Sequence, residues 1–197
     1  MRSKKKATSK ISVLWTFPPE FRSEVATLAA HYPELWSYAV HFKWGHIAQK
    51  SFMLAQPVVP TLLWFRSNRV YQIIIKKRFF VKNELFNNGR ISSEVIVGWL
   101  GHELGHVLDY KDRSSLSLLW FGIKYHFSKR FIKHAEETAD YNAVQHGLIV
   151  PLLVSKEFGR NPDFFPPDYI SKLNDLYPSL AKVISWNEAR EERPKAI

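Results

Sequence analysis

Cysteine is absent from this chain. That removes disulfides and thiolate metal sites, and it suits a reducing, cytoplasmic setting. Also missing is any apolar run near the ~18 residues that a membrane-spanning helix needs, so the expected membrane involvement is at most peripheral. The opening MRSKKKATSK lacks the apolar stretch and small-residue cleavage site of a signal peptide. Residues 1–10 are therefore expected to be a basic disordered tail, with residues 11–190 forming one domain. Acidic residues are in the minority, 18 against 28 Lys and Arg, for a formal net charge of +10. Such a balance attracts nucleic acid, anionic lipid or acidic substrate. No nucleic-acid-binding signature is present, so nucleic acid is the least expected partner. At 197 residues and 46% hydrophobic, the chain can bury a real core.

What is present centres on HELGH, residues 102–106. Residues four apart lie on one face of a helix, so His102 and His106 can converge on one metal ion. Glu103 sits beside the first ligand, placed to act as general base toward an attacking water. The flanks favour a helix: Ser92 and Ser93 can cap it, Glu94 suits its positive end, and Val95-Ile96-Val97 opens the run.

Two histidines do not complete such a site. In HAEETADYNAV, residues 134–144, Glu136 and Asp140 are again four apart. Glu136 would make a His2Glu set with an open fourth position. Asp140 would accept from the second ring nitrogen of a ligating histidine, His102 above all, fixing its tautomer. An alternative remains open, because HELGHVLDYKD places Asp109 and Asp112 where a His2Asp site could form. Glu137 and His134 are weaker candidates, since no acidic residue lies four positions on from either.

HELGH followed by EETAD resembles the gluzincin metallopeptidases, in particular the HtpX heat-shock protease and CaaX prenyl protease branch. It is also similar to the ImmA/IrrE type, from which Asp140 and the late Pro151 depart. The resemblance spans about residues 92–147. It implies Zn2+ as cofactor, His102, His106 and Glu136 as ligands, Glu103 as base and Asp140 as orienter. It further implies an α+β, zincin-like fold: a small antiparallel or mixed sheet with an edge strand, then the HExxH helix, then the glutamate helix. The expected activity is peptide-bond hydrolysis on a peptide or protein substrate. The competing class is a non-catalytic metal-containing binding protein or a basic membrane-associated adaptor. Tyr141, His146 and His126 are candidate oxyanion donors that spacing does not separate.

Elsewhere, residues 20–32 are expected to be helical with Phe21, Val25, Leu28 and Ala29 on one face. Residues 33–56 have no clear period. TLLWF, a turn at Arg66-Ser67-Asn68 and RVYQIIIKKRFFV predict a hairpin, with Ile73, Ile74 and Ile75 as the substrate-binding edge strand. Residues 149–185 are expected to add helix and a Pro-rich loop around the site. Gly98, Gly101 and Gly105 stand at i, i+3 and i+7, a seam without side chains suited to close approach of the Glu136 helix. Residues 114–134 are apolar and aromatic first, then basic. They fit either a buried hairpin or helix with a basic edge, or a segment lying on an anionic membrane surface.

Overall fold

A computed structural model describes residues 14–47, 51–76, 78–81, 84–87 and 91–193, with the backbone alone for 78–87. The basic stretch 1–10 lies outside the described residues. Four strands form a mixed sheet in the order β1 (Trp15–Thr16), β2 (Ala39–Gly45), β4 (Val70–Lys76), β3 (Met53–Pro57). The β1–β2 and β2–β4 pairs are parallel and β3–β4 is antiparallel. Along β4, Tyr71, Ile73 and Ile75 are fully buried and the residues between them are partly exposed. That is the two-residue period of a β-branched strand with one face on the core. A two-stranded hairpin, β5 (Arg78–Val81) and β6 (Glu84–Asn87), follows. The fold is thus α+β with a small mixed sheet.

Two expectations about the sheet are corrected. Residues 59–63 coil as a 3-10 turn instead of a strand, because Pro60 fixes its own φ and has no N–H to give a ladder. The antiparallel partner of β4 is therefore β3. Ile73, Ile74 and Ile75 consequently do not form an edge strand: β4 lies between β2 and β3, and Ile73 and Ile75 belong to the core. Among the described residues the edge on this side is β3. Phe52 O and Val58 N–H bond to β4, so by alternation the backbone groups of Met53, Ala55 and Pro57 face outward.

The first helix, α1 (Arg22–His31), buries Val25, Leu28 and Ala29 as its periodicity predicts. The long helix α2 (Ser93–Asp112) begins where Ser92 accepts from Val95 N–H at 3.3 Å. It is buried on most sides, packed against β3, α1, α4 (Lys129–Gln145) and α5 (Ile149–Gly159). Between α2 and α4 lies α3 (Ser115–Phe127), and α6 (Pro167–Leu176) and α7 (Leu180–Glu191) close the chain. No helix among the described residues is long and apolar enough to cross a membrane.

The glycine seam on α2 serves two neighbours, not one. A Cβ on Gly98 would fall on the Pro151 carbonyl of α5, and one on Gly101 would meet Leu148 Cδ1 at 2.6 Å. Gly105 alone admits the Glu136 helix, for a Cβ there would strike the backbone of Ala139. Gly105→Ala is therefore expected to destabilise the protein. Overpacking costs about 1–3 kcal/mol, against about 1 kcal/mol gained in helix propensity. A denaturant melt checks this, and equal or greater stability would show that α4 need not come so close.

Candidate metal centre

His102 and His106 lie one turn apart on α2, their ring centroids 4.8 Å apart and their planes nearly perpendicular. α4 brings Glu136 opposite both: its Oε2 is 3.0 Å from His102 Nε2 and 3.6 Å from His106 Nε2. The three candidate ligand atoms lie within 4.8 Å of one another, with His106 and Glu136 buried and His102 nearly so. Glu136 Oε1 accepts a hydrogen bond from Tyr125 Oη at 2.5 Å, whereas the buried Oε2 has no hydrogen-bond partner.

The second ring nitrogen of His102 decides what this arrangement wants. His102 Nδ1 lies 2.8 Å from Asp140 Oδ1. Burial raises the Asp140 pKa, but Lys156 and His102 outweigh it and hold the carboxyl below its ordinary range. Facing an ionised carboxylate, Nδ1 must carry the proton. A neutral ring then turns its Nε2 lone pair toward the lone pairs of Glu136. Two acceptors at 3.0 Å repel unless a cation sits between or beside them. Without a metal the cation is a proton. Burial lowers the His102 pKa, but Asp140 and Glu136 outweigh it and raise it to about 10. A tetrahedral ion with bonds of about 2.0–2.1 Å separates neighbouring ligand atoms by roughly 3.3 Å. The observed separations of 3.0 and 3.6 Å bracket that value, so these three residues could hold a metal ion.

Glu103 lies beside this group on the same cavity wall, with one carboxylate oxygen already engaged. Its Oε2 accepts from Ala55 N–H on β3 at 2.6 Å, tying this carboxylate to the outward edge of the sheet. Burial pushes its pKa above the ordinary carboxylate range, partly offset by His102 and His106. A carboxylate so placed can accept a proton and give it up again. Beside it opens a cavity of about 580 Å3, to which β3, α3 and α6 contribute walls around His102, Glu103, His106 and Glu136.

The structure separates the other candidates. Asp112 is exposed and paired with Lys111 at 2.9 Å, and Asp109 accepts from Arg113 at 2.9 and 3.0 Å. Neither enters the metal group, so the His2Asp alternative fails. His134 and Glu137 are absent from it too; Glu137 pairs with Lys182 at 2.5 Å. Tyr141 does not reach the site. It follows Asp140 by one residue, about 100° around the helix, and packs edge-on against Trp186 at 5.6 Å. His146 ends α4, stacks on Tyr32 at 4.5 Å and pairs with Glu34 at 2.8 Å, away from the cavity. His126 does line the cavity.

Four residues here escaped the sequence reading. Lys156 of α5 is buried and reaches Asp140 Oδ2 at 2.5 Å. Tyr110 stacks on His106 at 5.9 Å, Tyr125 holds Glu136, and the Tyr177 ring is 5.9 Å from that of His102. Burial raises the pKa of all three phenols, leaving them neutral donors. Tyr110 carried a helical-spacing signal, four residues after His106; Lys156, Tyr125 and Tyr177 carried none. No family model, curated protein or solved structure matches the chain.

Proposed function

We infer that this chain is a zinc-dependent peptidase of gluzincin type with a zincin-like fold. The observation that carries the reading is the buried Glu136 Oε2, which faces two imidazole nitrogens at 3.0 and 3.6 Å and has no other partner. Its donor set of two imidazoles and one carboxylate suits zinc. When bound, zinc supplies Lewis acidity that activates water and polarises a carbonyl. His102, His106 and Glu136 hold it, Asp140 fixes the His102 ring, and Lys156 neutralises the carboxylate that does so. Glu103 takes the proton of the attacking water and hands it to the departing nitrogen. An extended substrate pairs with the outward backbone of β3 and lies across the cavity. Tyr177 and His126, both on the cavity wall, are the candidate donors for the developing oxyanion. A purely structural metal site, which closes all four positions with protein ligands, is disfavoured by a base at the open side. The test is metal analysis coupled to a peptide-library cleavage assay. It is expected to find about one zinc per chain, as a three-ligand site requires, and cleavage abolished by a chelator. Full zinc occupancy without cleavage of any peptide would leave a binding protein instead.

A further inference from the structure

Residues 114–134, expected as either a buried hairpin or helix with a basic edge or a membrane-surface segment, form α3 and the start of α4, and α3 is buried on one side only. α3 carries Leu116, Leu119, Trp120, Ile123 and Phe127 at i, i+3, i+4, i+7 and i+11, one continuous stripe. All five are exposed, Phe127 by 80%, while Leu118 and Phe121 turn inward and anchor the helix. Beside the stripe the loop after β3 presents Leu63 at 92%, Phe65 at 83% and Trp64. The two pieces are fastened together. Ser115 Oγ donates to Leu62 O at 2.5 Å, and the buried Arg69 donates to Arg113 O at 2.6 Å and Ser115 Oγ at 2.9 Å. An exposed apolar face of this extent marks an interaction surface.

The charge of the same segments says what covers it. Between Glu34 and Glu84 the sequence has no acidic residue and eight Lys or Arg, and residues 113–135 have none and five. Lys129 and Lys133 are engaged by Asp175, but Arg66, Lys124 and Arg130 are exposed on the segments that carry or adjoin the apolar face. We propose that this face docks the protein on an anionic lipid bilayer, with Leu63, Phe65 and Trp120 in the interface and the cations among the headgroups. Aromatic and aliphatic side chains rimmed by Lys and Arg fit that boundary. A second copy is the poorer occupant, because each chain brings its own +10 charge to the contact. Leu119 and Ile123 also line the cavity, so docking places the α3 wall of the cavity at the bilayer surface. The surface does not depend on the metal centre or on the activity inferred for it.

The test is flotation with vesicles of phosphatidylcholine alone and of phosphatidylcholine mixed with phosphatidylglycerol. The full chain is expected to float with the anionic vesicles at low salt, and by about tenfold less at ~0.5 M salt, where surface charge is screened. Leu63→Ser with Phe65→Ser should reduce binding by about tenfold or more through lost apolar area, with an unchanged thermal melt because both side chains are exposed. Arg66→Gln with Arg130→Gln should remove part of the salt-sensitive component. Phe121 is left intact, since it is buried. Glu103→Gln should float like wild type, which separates this surface from the peptidase reading. No flotation with anionic vesicles at low salt overturns the proposal. So does flotation unchanged by the Leu63 and Phe65 substitutions, or self-association in solution that those substitutions abolish.

Discussion

Glu136→Ala is expected to lower the affinity of the proposed metal centre by about two orders of magnitude or more. That exceeds the 10–100-fold effect typical of losing an outer partner, because a ligand is gone. His102 and His106 remain, but two imidazoles leave the ion half-solvated in a cavity that was shaped for a third donor. The substitution also removes the acceptor of Tyr125 Oη, so some stability is lost with it. Glu136→Gln controls for this: it keeps the volume and an acceptor for Tyr125 but not the charge. It should melt near wild type while still binding metal weakly. Asp112→Ala, at an exposed side chain paired with Lys111, should change nothing. Metal content after dialysis against a chelator decides the matter. Loss of metal in Asp112→Ala with retention in Glu136→Ala would return the ligand role to the segment after HELGH.

The parts of the site legible in the sequence are those carried by helical spacing. His102 and His106 share a face because four residues make roughly one turn, and Glu136 and Asp140 do so for the same reason. The Asp140 contact to His102 Nδ1 followed from needing an acceptor for the second ring nitrogen. What spacing cannot give is which face of one element meets which element. Tyr141 and His146 were plausible by proximity to Glu136 in the chain, yet α4 turns both toward α7 and α1. Lys156 arrives from α5, sixteen positions past Asp140, in an apolar helix where nothing marks it as a partner. Burial makes it necessary: Asp140 would otherwise be an ionised carboxylate at 1% exposure balanced only by a shared imidazole proton.

The sheet shows the same limit. Composition identified β4 as a strand, since Val70 and Ile73, Ile74 and Ile75 are β-branched. Its neighbours depended on pairings across the chain, and β2 joins it from residues 39–45, a region whose period is ambiguous. Pro60 was the local clue against a TLLWF strand. Once 59–63 coils, β3 becomes the edge and its Ala55 N–H meets Glu103. The corrected edge strand is thus joined directly to Glu103 through Ala55 N–H.

That junction gives the second large effect. Glu103→Gln should lower turnover by about two to four orders of magnitude, the usual worth of a positioned general base, while leaving metal content intact because Glu103 is not a ligand. Glutamine keeps an oxygen to accept from Ala55 N–H, so the β3–α2 contact survives. It also replaces a buried carboxylate, whose pKa is raised chiefly by burial, with a neutral group that is cheaper to desolvate. The variant is therefore expected to melt at or above the wild-type temperature even as activity collapses. This combination distinguishes a catalytic role from a structural one: a residue kept for packing would lose stability and turnover together. Hydrolysis of a cleaved library peptide, metal content and a thermal melt on the same preparations read all three quantities. Equal turnover in wild type and Glu103→Gln, with metal retained in both, would remove the peptidase reading and leave the metal centre with another task.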